Sequence, residues 1–230
     1  MKKLAGLFGG ALAIYLAVAY VVVPLGWWRY EKRHSALDDA PRITQTTTGI
    51  PGDPINIGLV ATEEEVHKAF LAAGWFPADP ITLESSIRIA GSTVLHRSYD
   101  DAPVSSLYLW GHKQDVAFEQ PVGDDARRRH HVRFWRSETC DDNGRPLWLG
   151  AATFDARVGL SHTTGEITHH ISPNVDAERD KILGDLTQAA AVKDVEWIAG
   201  FHNNLTGKNG GGDPYETDGR LAVATMTVPQ

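Results

Sequence analysis

From Leu4 to Leu25 the chain runs without a single charged residue, and positions 4–23 are almost wholly apolar. Twenty residues at a helical rise reach about 30 Å, the thickness of a bilayer's hydrocarbon core. Pro24 closes the run, and Trp27-Trp28-Arg29-Tyr30 follows as an aromatic and basic interfacial anchor. The rival reading is a cleaved signal peptide, since Ala17-Val18-Ala19 has the small-x-small form of a cleavage site. Tyr20-Val21-Val22-Val23 continues the apolar run past that site, so length points to an uncleaved transmembrane anchor over residues 1–30. The flanking charges are nearly balanced. A short basic start before a lone anchor then places the remainder on the extracytoplasmic side of the membrane, as a single-pass protein.

Charge separates the two parts of the chain. Residues 1–34 hold five Lys or Arg against one acid, a net of +4, which leaves −11 on the rest. Nucleic acid is a poor partner for so acidic a domain, because phosphates demand a basic face. The bilayer is the expected partner of the first segment. With one cysteine, Cys140, the chain can form no internal disulfide and no multi-cysteine zinc site.

Residues 31–54 read as a linker. The stretch from 35 on is polar, carries Thr46-Thr47-Thr48 and Pro51-Gly52, and shows no apolar period. One globular domain is expected over 55–230, able to fold once the anchor is removed. Ile55–Val60 reads as a strand. Thr62 with Glu65 makes a capping box for a helix whose face is Val66, Ala69, Phe70 and Ala73, ended by Gly74. A second helix starts within 172–176, with Pro173 in its first turn and Val175, Ile182, Leu183, Leu186 and Ala190 inward; Glu178, Arg179, Asp180, Lys181 and Asp185 fall largely on the other face. Strands are expected at 106–110, 114–119, 131–136, 147–158, 166–171, 192–201 and 221–228. Two main helices against these strands, joined mostly by turns, give an α+β fold with a largely antiparallel sheet.

Histidine is the abundant reactive type, with ten copies and two adjacent pairs, His130-His131 and His169-His170. Neighbours on a strand face opposite ways, so neither pair can hold one ion with both rings. No H-x-H or H-E-x-x-H occurs, so spacing implies no metal and no cofactor. The plain alternative is one packed and one solvated ring in each pair. Arg127-Arg128-Arg129 is either a solvated loop or the start of an anion contact continued by Arg133 and Arg136. Acids at the second helix's start, Asp176 and Asp180 around Arg179, suit its free N–H groups. Residues 202–220 read as a flexible hairpin loop; Gly207-Lys208-Asn209 lacks the spacing of a P-loop.

Arg129-His130-His131-Val132-Arg133-Phe134-Trp135 resembles the RHH-x-R-x-W block of the LssY C-terminal domain family. So do 107–115, 146–152, Thr168-His169-His170-Ile171 and Asp176-Ala177-Glu178-Arg179-Asp180, in order over roughly 55–186. The family is bacterial, and some members carry the domain behind lipid-phosphatase-like membrane segments. No Pro-Ser-Gly-His block of that phosphatase occurs here, so its activity does not carry over. The resemblance implies a membrane-tethered accessory domain of the bacterial envelope. The missing metal-ligand spacing favours a non-catalytic module that binds an anionic ligand or an envelope partner protein. The alternative is a metal-assisted hydrolase using His131, His169 or His170 with Asp155. A ligand site is expected where the strand of His130, His131 and Arg133, the strand of His169 and His170, and the helix start at Asp176, Arg179 and Asp180 converge, with Asp155 nearby.

Overall fold

The computed structural model describes residues 2–23, 40–80, 82–84, 106–123, 125–163 and 167–227, together with positions 25, 37 and 87. It divides into two compact units, 1–40 and 41–230.

The first unit is helical. Helix α1 spans Lys2–Ala17 and passes into a π-helical stretch, Val18–Val22. At 16 residues α1 is shorter than the span expected from the uncharged run. Among the described residues no helix is long and apolar enough to cross a membrane. Leu12, Ile14, Tyr15, Val18 and Tyr20–Val23 are exposed.

In the second unit the fold follows from which face of each strand is apolar. The large sheet runs β11 (Val192–Ile198), β14 (Leu221–Met226), β3 (Ile57–Val60), β9 (Pro146–Leu160), β8 (Asp125–Cys140), β7 (Val116–Val122) and β4 (Phe76–Pro77), with β10 (Ile167–Ile171) also paired to β9. Among the described strands of this sheet only β14 and β3 pair in parallel, so the largely antiparallel expectation holds. Helices α2 (Glu63–Ala72) and α3 (Val175–Gln188) cover one face. Phe70, Val66, Ile182 and Leu186 from the helices meet Ile57, Leu59, Phe118, Val132, Phe134 and Trp148 from the sheet in one core. Helix α2 begins as read: Thr62 caps it and Glu65 reaches back to the Thr62 N–H. Helix α3 begins one residue after Asn174, whose side chain accepts from the Ala177 N–H, so Pro173 lies outside the helix.

Two expectations change. Residues 43–54, within the stretch read as a linker, form β1 (Ile43–Gln45) and β2 (Pro51–Pro54). With β5 (Tyr108–Leu109) and β6 (His112–Lys113) they make a second, four-stranded sheet, ordered β2-β1-β5-β6. The loop at 202–220 holds a hairpin, β12 (Thr206–Lys208) and β13 (Pro214–Glu216), and buries His202, Asp213, Tyr215 and Thr217.

Candidate functional site

Strand β8 sorts its own side chains by alternation. Val132 and Phe134 point into the helix-side core, while Arg129, His131, Arg133 and Trp135 point to the opposite face, all buried. Antiparallel pairing sets Arg129 opposite Asp155 and His131 opposite Thr153 on β9. That polar face and the second sheet enclose a cavity of about 440 Å³. Arg129, His131, Arg133 and Asp155 form one wall. Thr46–Thr48, Gly52 and Asp53 form another, with Thr168 and His169 from β10 and Asn209–Gly211 completing it.

The charges in the wall are arranged in two clusters. Arg129 donates through Nε to Asp155 at 3.0 Å and through Nη1 to Glu119 at 2.9 Å. Arg133 donates through Nη1 to Asp53 at 3.3 Å and to His131 Nε2 at 2.8 Å. A guanidinium has no acceptor, so Nε2 must be the bare nitrogen of that ring, and the Thr153 hydroxyl donates to it as well at 2.9 Å. The ring proton then sits on Nδ1 and faces Asp155 Oδ1 at 3.3 Å. Burial works against the charge of Asp155, yet His131, Arg129 and His169 outweigh it and hold the carboxyl far below its ordinary range. Burial depresses the Arg133 pKa, even with Asp53 and Asp155 opposing that shift. His169 is also pushed down, first by burial and then by Arg129, His131 and Arg133, against the pull of Asp155.

The expected convergence is therefore divided. The cavity gathers His131, Arg133, Asp155 and His169. His130 lies on the helix side, where Nδ1 meets Glu178 at 2.8 Å and the ring packs on Phe154. His170 turns away from the cavity and bonds Asp213 at 2.6 Å. Asp176, Arg179 and Asp180 do not line the cavity but serve a separate network. Arg179 reaches Asp218 at 3.0 Å, Asp180 at 2.8 Å and Asp176 at 3.2 Å, and lies 4.8 Å over the Trp197 ring. Glu178 and Arg179, read as outward-facing, are buried because their partners His130 and Asp218 come from distant segments. Of the basic run, Arg129 is buried in the wall, Arg128 is exposed, and the Arg127 side chain lies outside the described residues. Arg136 is exposed.

Asp155 is engaged by Arg129, and His131 presents its bare nitrogen to Arg133 and Thr153. Of the alternative hydrolase set, His131 and His169 share the cavity with Asp155, while His170 stands apart with Asp213. Thr46–Thr48, Gly52, Asp53 and Asn209–Gly211 were missed by sequence reasoning. Their only sequence signal is a density of hydroxyls and glycines, common to any loop.

These features define a two-layer α+β domain with a polar, Arg- and His-lined cavity between its main sheet and a small accessory sheet. The model of the LssY C-terminus family matches residues 37–221, and the chain belongs to that family. A search of the curated proteins returned no match, and neither did a search of the solved structures.

Proposed function

We propose that the domain is a binding module for a small, hydroxyl-bearing anionic ligand, held at the bacterial envelope membrane by residues 1–30. The observation that carries the first half is Arg133. It is buried in the cavity wall, where it contacts Asp53, which also receives the Asn209 amide at 3.2 Å. With Arg129 it places two guanidiniums in the wall of one polar cavity, where an anion would gain charge-assisted hydrogen bonds. The hydroxyls of Thr46–Thr48, Ser106, Ser161 and Thr168 suit a polar ligand body.

Support for the second half is the uncharged run itself, with Leu12 at 59%, Ile14 at 67% and Tyr20 at 72% exposure on a helical backbone. Side chains of that kind need a lipid or protein cover. On this reading the domain faces the extracytoplasmic side.

Isothermal titration of the full chain in detergent tests the ligand class, using inorganic phosphate, a sugar phosphate and its parent sugar. Saturable binding of the phosphorylated probes but not of the sugar is expected. Arg133→Lys keeps the charge but loses the guanidinium fork, and should weaken that binding about tenfold. No binding of either phosphorylated probe by the unmodified chain overturns the reading.

A further inference from the structure

Behind the cavity wall lies a second cluster, built from segments far apart in sequence. His162 follows the end of β9, His170 lies on β10, and Asp213 precedes β13. One ligand atom from each lies within 4.8 Å of the others. His170 Nδ1 is 2.6 Å from Asp213 Oδ1, His162 Nε2 is 3.9 Å from the same oxygen, and the two imidazole centroids are 5.0 Å apart. From these three residues we infer a binding site for a divalent transition-metal ion of the zinc class, with two imidazoles and one carboxylate as ligands.

The chemistry of the donor set fits. Two imidazole nitrogens and a carboxylate oxygen are borderline ligands that suit zinc and its neighbours rather than magnesium or calcium. Three protein ligands leave a coordination position for water or another donor, and His162, 60% exposed, stands on the solvent side. Ligand bonds of about 2.1 Å in a tetrahedron place donor atoms about 3.4 Å apart. The His170–Asp213 gap must open slightly and the His162–Asp213 gap close slightly. The exposed His162 side chain can make the second movement, and the first falls to small rotations of the His170 and Asp213 side chains.

The surroundings hold the donors in place. A Cβ on Gly159 would come within 2.7 Å of His170 Nε2, so that edge of the ring lies against the β9 backbone and Nδ1 is the edge turned to Asp213. Asp213 is steadied from two sides. Its backbone N–H donates to Asn209 Oδ1 at 2.9 Å, and its Oδ2 accepts from the Ile171 N–H at 3.2 Å, leaving Oδ1 for the two rings. The His162 N–H donates to the Gly211 carbonyl at 2.8 Å, tying the third donor to the same loop. Supporting hydrogen bonds of this kind orient metal ligands. None of the three ligands lines the cavity proposed to hold the anion.

The test uses the full chain in detergent, stripped with a chelator and then titrated with Zn²⁺ by calorimetry and with Co²⁺ by visible absorption. One equivalent of Zn²⁺ should bind, and Co²⁺ should give the intense bands of a tetrahedral site. His162→Ala, at an exposed position, should weaken Zn²⁺ binding at least tenfold and abolish the Co²⁺ bands with its melting temperature unchanged in the absence of metal. His112→Ala, at an exposed histidine on β6, should leave both signals intact. The inference fails if the unmodified chain binds no Zn²⁺, or if His162→Ala binds it as tightly as the unmodified chain. Phosphate titration of His162→Ala reads the cavity separately.

Discussion

At Asn56 a single amide joins three parts of the domain. Its Nδ2 donates to the carbonyls of Ala152 on β9 and Val175 at the start of α3, both at 2.9 Å, and its Oδ1 accepts from the Ala152 N–H at 2.9 Å. The residue is fully buried, so no water can replace it. Asn56→Ala would leave three backbone groups without partners and should lower unfolding free energy by about 3 kcal/mol or more, read by urea denaturation. Asn56→Asp should be no better, because an ionised carboxylate cannot donate to two carbonyls. Gly150 constrains the same region from the opposite direction. A Cβ there would meet Phe134 Cε1 at 2.4 Å and Ile57 Cγ2 at 2.8 Å. Neither neighbour is free to leave the core, so Gly150→Ala should destabilise by about 1–3 kcal/mol through overpacking. Neither role is legible in sequence. An asparagine after a proline-rich stretch and a glycine within a strand both look like turn residues until the strands that crowd them are in place.

Among the elements, α2 was readable because its information is local: cap, box, apolar face and terminating glycine lie within 13 residues. Helix α3 was readable in its apolar stripe but not in its ionic partners. Its first turn is fastened to the loop after β13. Asp176 accepts from the Thr217 hydroxyl and the Asp218 N–H, and Arg179 and Arg220 both grip the Asp218 carboxylate while stacking over Trp197. Those partners lie about 40 residues downstream of that first turn, beyond any periodicity argument. Partial burial alone would raise the Asp218 pKa, but Arg179 and Arg220 outweigh it and hold the group far below its ordinary range. A carboxyl depressed in the folded state binds protons more readily when unfolded. Its contribution is thus complete above the unfolded pKa of about 3.9 and is lost as pH falls from there toward the folded value. Stability measured by denaturant titration should therefore fall steeply below about pH 4. Asp218→Asn should be less stable at neutral pH and flatter across that acid range. An unchanged acid slope would show that the Asp218 network contributes nothing to the folded state's preference.

For the whole molecule, the main sheet with its two helices was visible as a pattern, but of the layer that closes the cavity only the strand at 106–110 was. Strands β1 and β2 are short and polar, and what makes them strands is what they dock against. The Ile55 N–H donates to the Arg42 carbonyl, the Thr44 hydroxyl donates to the Asp53 carbonyl, and Asp53 meets buried Arg133. Sequence patterning detects an element that carries its own apolar face, and these strands have almost none. The consequence concerns where the folding unit starts. A boundary at Ile55 would remove both strands, take Asp53 from Arg133 and open the cavity. Removing one partner of a buried pair costs about 3–5 kcal/mol, a large share of a domain's net stability. Residues 41–230 should therefore unfold in one cooperative thermal transition, whereas residues 55–230 should melt at a clearly lower temperature or without a sharp transition. Restoring the strands but with Asp53→Asn should recover only part of the difference, since Arg133 then loses the charge of Asp53. Equal melting temperatures for the 41–230 and 55–230 fragments would show that the second sheet is an ornament on a core complete without it, and that the cavity's wall is not held by the pairing of Asp53 with Arg133.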